Sequence, residues 1–127
     1  MGATYDGNES VALSTAFTTV LTIDSRKIRS SVVTFLNKDN AISESYQLFG
    51  STKDAPNFSN LTTDDWVNLL SIAQGGVYNH NLSIAIPAGS GAARAVETFS
   101  NPYAWVVVVM NSASGTPLVS VYHRGTD

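Results

Sequence analysis

The chain has two side chains that could act as a general base at neutral pH, His80 and His123. A serine nucleophile needs such a histidine, and the histidine in turn needs a carboxylate that orients it. Neither histidine lies beside a Gly-x-Ser-x-Gly turn, the pattern of a nucleophile elbow, and the chain has no cysteine. We therefore expect both histidines to be surface or loop residues, and we predict that the protein has no catalytic residues and is not an enzyme.

Metal ligands and phosphate-binding loops are equally sparse. Two distant histidines are too few for a transition-metal site. Calcium is slightly better served, because loops carry acids such as Asp39, Asp54 and Asp64, but the chain has no Asp-x-Asp-x-Asp-Gly loop. The Gly89-Ser90-Gly91 turn lacks the lysine and the spacing of a phosphate loop. The prediction is no metal, no cofactor and no small-molecule substrate.

Charge and hydropathy also argue against nucleic-acid and membrane partners. Arg26, Lys27 and Arg29 form a basic cluster that is too small for a nucleic-acid footprint, and the net charge is −3. The longest apolar run, residues 103–110, is far shorter than the ~20 residues that cross a bilayer. The first residues lack the basic segment and the apolar segment that make up a signal peptide. We expect synthesis in the cytoplasm and no membrane association.

Aromatic side chains keep one binding function open. Exposed aromatics flanked by Asn, Asp and Gln are typical of carbohydrate-binding surfaces, and Trp66 and Tyr78 are the candidate stacking residues. Aromatic residues on strands usually belong to a core instead. A carbohydrate- or receptor-binding module is therefore the alternative function.

Short runs rich in Val, Ile, Thr, Phe and Tyr, separated by Gly, Pro, Asn, Asp and Ser, predict a chain made of β-strands. Eight strands are predicted, at residues 11–23 with a break near Ala16, 27–37, 45–50, 65–72, 77–86, 93–99, 103–110 and 118–123. Because no helices alternate with them, we predict an all-β fold, an eight-stranded antiparallel β-sandwich that is jelly-roll-like. Residues 11–127 form this single domain, and residues 1–10 form a flexible N-terminal arm.

One segment has two interpretations. Thr62-Thr63-Asp64-Asp65 resembles a helix start, and apolar residues follow it at helical spacing up to Gly75-Gly76. A strand over residues 65–72 fits the neighbouring β segments better. We favour the strand and allow at most one short helix near residues 63–74.

The strand at residues 103–110 is apolar on both faces, whereas a strand of a two-layer sandwich needs only one apolar face. One face carries Trp105, Val107 and Val109, and the other carries Val106, Val108 and Met110. A loop or the N-terminal arm could cover the second face, or another subunit could. The six residues are therefore candidates for an oligomer interface.

Residues 27–37 show the same feature in milder form. Val33 and Phe35 lie on one face, and Val32 and Leu36 lie on the other. An exposed apolar face of this kind is rare on soluble monomers.

Several segments together resemble a family of proteins. They read VVTFLNKDN, SYQLFGSTKD, DDWVNLL, IPAGSGAA and PYAWVVVVMNSASG. In this order they resemble small β-sandwich virion proteins of tailed and other double-stranded DNA viruses, including bacteriophage head-decoration and minor capsid proteins. They resemble discoidin-like carbohydrate-binding sandwiches more loosely, because the loop that follows residue 51 is long for that pattern.

The virion resemblance implies a non-enzymatic structural protein, a homo-oligomer of three or more copies that contacts other virion proteins. Composition agrees with this expectation. Charged residues make up 13% of the chain, and 38 of its 127 residues are Ser, Thr or Asn. Uncharged polar side chains lose less hydration free energy than charged ones when a contact buries them.

Overall fold

Nine strands and one short helix make up a computed structural model that describes residues 3–89, 93–100 and 103–127. The strands are β1 (Ala3–Ala12), β2 (Thr18–Asp24), β3 (Ser30–Asn37), β4 (Glu44–Ser51), β5 (Val67–Asn68), β6 (Ile84–Ile86), β7 (Ala93–Ser100), β8 (Trp105–Ser112) and β9 (Leu118–Thr126), with α1 (Leu69–Gln74) between β5 and β6. The all-β prediction is confirmed, and so is the break near Ala16, which falls between β1 and β2.

The strands form two antiparallel sheets that pack face to face. The four-stranded sheet has the order β1-β9-β3-β7, and the five-stranded sheet has the order β2-β8-β4-β5 with β6 also paired to β4. The pairs β1·β9, β2·β8, β3·β7 and β4·β6 are nested, so the chain is one long antiparallel ribbon rolled across both sheets. This is the strand order of a jelly roll, as predicted.

The main core lies between the two sheets. Alternate residues of β3 face inward, so Val33 and Phe35 are buried while Val32 is exposed. Leu48 of β4 and Val108 of β8 enter the same core from the other sheet. The strand period of two therefore sorts each strand into an inner and an outer face.

The N-terminal segment belongs to the sandwich. Residues 3–10, assigned above to an arm outside the domain, lie in β1 and pair along β9. The Asn8 side-chain amide also donates a hydrogen bond to the Val20 carbonyl of the opposite sheet, at 3.0 Å. The domain boundary expected at residue 10 is therefore wrong for the described residues; residues 1 and 2 lie outside them. The residues of β1 are mostly polar and show no apolar alternation, and their pairing partners in β9 lie more than 100 residues away in the sequence. Local residue patterns therefore did not predict this strand.

The ambiguous segment contains both kinds of structure. Only Val67–Asn68 pairs with β4, so the strand expected over residues 65–72 is wrong beyond Asn68. The Asn68 side chain then caps α1 by accepting hydrogen bonds from the backbone N–H groups of Leu70 and Ser71, at 3.0 and 3.1 Å. The helix ends before Gly75, whose φ of 79° suits glycine. One short helix near residues 63–74 is therefore confirmed.

The strand predicted over residues 77–86 is shorter than expected. Only Ile84–Ile86 pairs, with Glu44, Ser45 and Tyr46 of β4. The Asn79-His80-Asn81 stretch forms turns, and its side chains bind backbone groups instead of extending a ladder. The glycine-rich turn predicted after this strand has residues 90 and 91 outside the described ranges.

Candidate functional site

Both faces of β8 are buried, as its composition predicts, but within one chain. Val106, Val108 and Met110 lie in the main core with no measurable exposure. Val107 and Val109 face the other way and pack with Phe49 and Trp66 in a second hydrophobic cluster. The cover for this cluster is residues 52–66, which we call the covering loop.

Two tryptophans anchor the covering loop. The Trp66 Nε1–H donates to the Asn57 carbonyl at 2.9 Å, and the Trp105 Nε1–H donates to the Asp54 carbonyl at 2.8 Å. The Phe58 ring meets both indoles edge to face, with centroids 5.6 and 5.1 Å away. Each indole thus stabilises the loop through one hydrogen bond and one aromatic contact.

The assignment of this strand to an oligomer interface is therefore corrected. Five of the six candidates, Val106, Val107, Val108, Val109 and Met110, are at most 4% exposed in the single chain. The sixth, Trp105, is half-buried, and the Arg26 guanidinium lies 5.1 Å from the centre of its ring. A side chain buried by its own chain offers no area to a second subunit.

The two candidate stacking residues have different surroundings. Trp66 is 2% exposed and cannot stack on a ligand, so its assignment as a sugar-binding residue is wrong. The Tyr78 ring is partly exposed, but its hydroxyl accepts from the Asn68 N–H and lies 2.6 Å from His80 Nδ1. Because His80 Nε2 lies 2.7 Å from the Leu61 carbonyl, which can only accept, Nε2 donates that hydrogen bond.

The fold brings together three residues with the connectivity of a catalytic triad, which sequence reasoning missed. His123 Nε2 lies 3.0 Å from Ser31 Oγ, and His123 Nδ1 lies 3.2 Å from Asp6 Oδ2. Ser31 and His123 are each 2% exposed, whereas Asp6 is half-buried at the outer end. Ser31, which would be the nucleophile of such a triad, is therefore buried, and a substrate carbonyl cannot reach its Oγ. These hydrogen bonds join β1 to β9 and β3, so His123 is a core residue and the expectation of a surface histidine is wrong for it.

The outer side of the four-stranded sheet carries several apolar side chains that the described residues leave uncovered. We call it the open face. Five large exposed apolar or aromatic side chains lie on it: Tyr5, Val32, Val96, Leu118 and Tyr122. Tyr5 is 66% and Val96 is 58% exposed. This is the second apolar face predicted for residues 27–37, and here no other part of the described chain covers it.

The strand register arranges these residues in rows across the sheet. One row runs from Tyr5 through Arg124 and Val32 to Thr98. The Arg124 guanidinium lies 4.8 Å from the centre of the Tyr5 ring, a cation–π distance. The face therefore combines apolar area with two arginines, since Arg94 also points outward on β7.

The next row contains a glycine packed against an aromatic ring. Gly7 lies opposite Tyr122, and a Cβ on Gly7 would stand 3.0 Å from the Tyr122 ring, so a larger residue there would push the ring aside. The Tyr122 hydroxyl donates to Glu9 Oε1 at 3.0 Å.

Within the described ranges no three His, Asp or Glu side chains form a group that could hold a metal ion. The helix found there, α1, has six residues, and none in those ranges reaches membrane-spanning length with sufficient hydrophobicity. No protein-family model and no curated protein matches this chain.

Proposed function

We propose that the protein is a non-enzymatic structural component of a viral particle that self-associates through the open face. The observation that carries this proposal is the concentration of exposed apolar side chains on one sheet face. Exposed apolar side chains that are concentrated on one face of a soluble protein often mark an interaction site. Another copy of the chain would remove these side chains from water.

The size of the open face suits a contact between copies. Four strands about 4.8 Å apart and about eight residues long give a face of roughly 500 Å². Two such faces packed together bury roughly 1,000 Å², the lower limit of a specific interface. A single contact of this size is weak, and a multimer strengthens it because each copy makes several contacts.

The architecture and the composition support the same proposal. Jelly rolls occur in viral capsid proteins and in lectins, although a fold does not by itself assign a function. The scarcity of charged residues favours close contacts, because few charges lose their hydration when the surface is buried. The triad-like residues Ser31 and His123 do not favour catalysis, because both are buried.

The experiment measures oligomeric state by light scattering across micromolar concentrations. We expect a dimer or larger assembly for the wild type and a folded monomer for Val96→Lys, which places a charge on the open face at the edge strand β7. Val77→Lys is the matched control, because Val77 is 95% exposed but lies in the turn after α1. A wild-type monomer at every concentration, or equal dissociation by both variants, contradicts the proposal.

A further inference from the structure

A groove remains on the outer side of the five-stranded sheet, beside the end of the covering loop. Its volume is about 320 Å³. Its floor comes from β2, β4 and β8, and its walls come from the covering loop, from the turn before β6 and from the residue before β2. The side chains that the argument needs are Phe17, Gln47, Phe58, Asn60, His80 and Asn81.

Gln47 lies in the floor of this groove, and its side-chain amide faces the open space of the groove. Its residue is 7% exposed, and the amide is not among the buried polar groups that lack a partner in the described chain. The amide has two donor hydrogens and one carbonyl oxygen that can pair with groups of a ligand. A ligand with hydroxyl groups could supply both a donor and an acceptor to this amide.

Two phenylalanines flank the groove with partly exposed rings. Phe17 is 42% and Phe58 is 44% exposed. Phe58 is held in place by its contacts with the two indoles of the covering loop, so its free ring surface has a fixed position. The negative face of an aromatic ring attracts polarised C–H bonds, which line one side of a sugar ring.

The lining carries no formal charge. None of the lining residues is Asp, Glu, Lys or Arg. Both ring nitrogens of His80 have partners within the fold: Nε2 donates to the Leu61 carbonyl, and Nδ1 lies 2.6 Å from the Tyr78 hydroxyl. The side chains of Asn60 and Asn81 add amide groups at the rim. A charged ligand would find no counter-ion in this groove.

We propose that this groove binds a neutral saccharide. The Gln47 amide is the hydrogen-bonding anchor for the sugar hydroxyls, and Phe17 and Phe58 are the stacking surfaces. The volume lies at the lower end of the range for small-molecule sites and accommodates about one or two sugar rings. The site is distinct from the open face, so it does not depend on self-association.

The first experiment presents the full-length protein to an array of neutral and acidic glycans, and calorimetry then measures the affinity of each hit. We expect binding to neutral glycans only. Absence of any neutral hit overturns the proposal, and binding restricted to acidic glycans overturns it as well, because the lining has no cation for them.

Variants then locate the site. Gln47→Met keeps the side-chain volume and removes the amide that faces the groove, so the variant should fold and lose about tenfold in affinity for the sugar. Phe17→Ser should weaken binding similarly, because it removes an exposed ring outside both hydrophobic clusters. Gln74→Met is the matched control, since Gln74 is exposed on α1 away from the groove. Full affinity in both Gln47→Met and Phe17→Ser, with folding verified by circular dichroism, places the sugar elsewhere and contradicts the proposal.

Discussion

The Tyr46 hydroxyl donates a hydrogen bond of 2.5 Å to Glu97 Oε2 and thereby joins β4 of one sheet to β7 of the other. Tyr46 is 2% exposed, and its ring stacks on Phe35 with centroids 4.0 Å apart. Burial, together with the carboxylate of Glu97, holds the pKa of the Tyr46 phenol well above its usual range. This hydrogen bond therefore adds to the polar contacts between the sheets, such as the one from Asn8 to the Val20 carbonyl.

Tyr46→Phe should lower the free energy of unfolding by about 1.5–3 kcal/mol, the usual contribution of a hydrogen bond to a charged group. The ring stack on Phe35 remains, so the change isolates the hydroxyl. Urea denaturation of dilute protein measures the difference. Tyr122→Phe makes the same chemical change at an exposed bond to Glu9 and should cost less than about 0.5 kcal/mol. Equal losses for the two variants would show that the bond between the sheets adds nothing to stability.

Glu44 should make stability fall as the pH rises. It is 1% exposed, and its carboxyl oxygens have no hydrogen-bond partner among the described residues. Burial, and to a smaller extent the charge of Asp39, raises the pKa of Glu44 from 4.5 to about 7. Between these two values the folded chain keeps a proton that the unfolded chain has released. Protonation of Glu44 therefore contributes its full stabilisation below pH 4.5, and this stabilisation is lost as the pH rises through about 7.

Urea denaturation at pH about 5 and pH about 8 tests this dependence, and we expect the wild type to lose roughly 1–3 kcal/mol between them. Glu44→Gln removes the titrating group, so this part of the pH dependence should disappear. Glu9→Gln is the control at an exposed carboxylate on β1. If Glu44→Gln retains the full wild-type slope, another group is responsible.

Val108→Asp should unfold the chain, whereas Val32→Asp should leave it folded. Val108 has no exposure and lies between the sheets, so the new carboxylate would be buried without a partner at a cost above about 4 kcal/mol. Val32 is 38% exposed on the open face, where water can solvate the charge. Circular dichroism and light scattering distinguish the outcomes. A folded monomer of Val108→Asp would instead restore β8 as a subunit interface.

Strand identity was predictable wherever β-branched and aromatic residues form a run. The sequence of β8 required burial of both faces, and the structure buries both. The sequence of β3 predicted a second, weaker apolar face, and Val32 lies on it. These predictions hold because the strand period of two is a local property of consecutive residues.

Short and polar elements were not predictable in the same way. Nothing near β1 indicates that it pairs with β9, and its register becomes defined only when the two chain ends meet. Asn68 became a helix cap because its backbone leaves β5 at that point. The contacts of His123 with Ser31 and Asp6 join three distant parts of the sequence.

Local residue patterns were enough to establish the β class, the approximate strands and the positions that must leave water. Only the folded chain shows which group covers each of these positions. The covering loop buries the outer side of β8, whereas no part of the described chain covers the open face. Folding also placed Gln47 at the floor of a groove, where its amide faces the open space. The physical reason is that apolar alternation specifies a face that must be buried, whereas the group that buries it comes from segments distant in sequence.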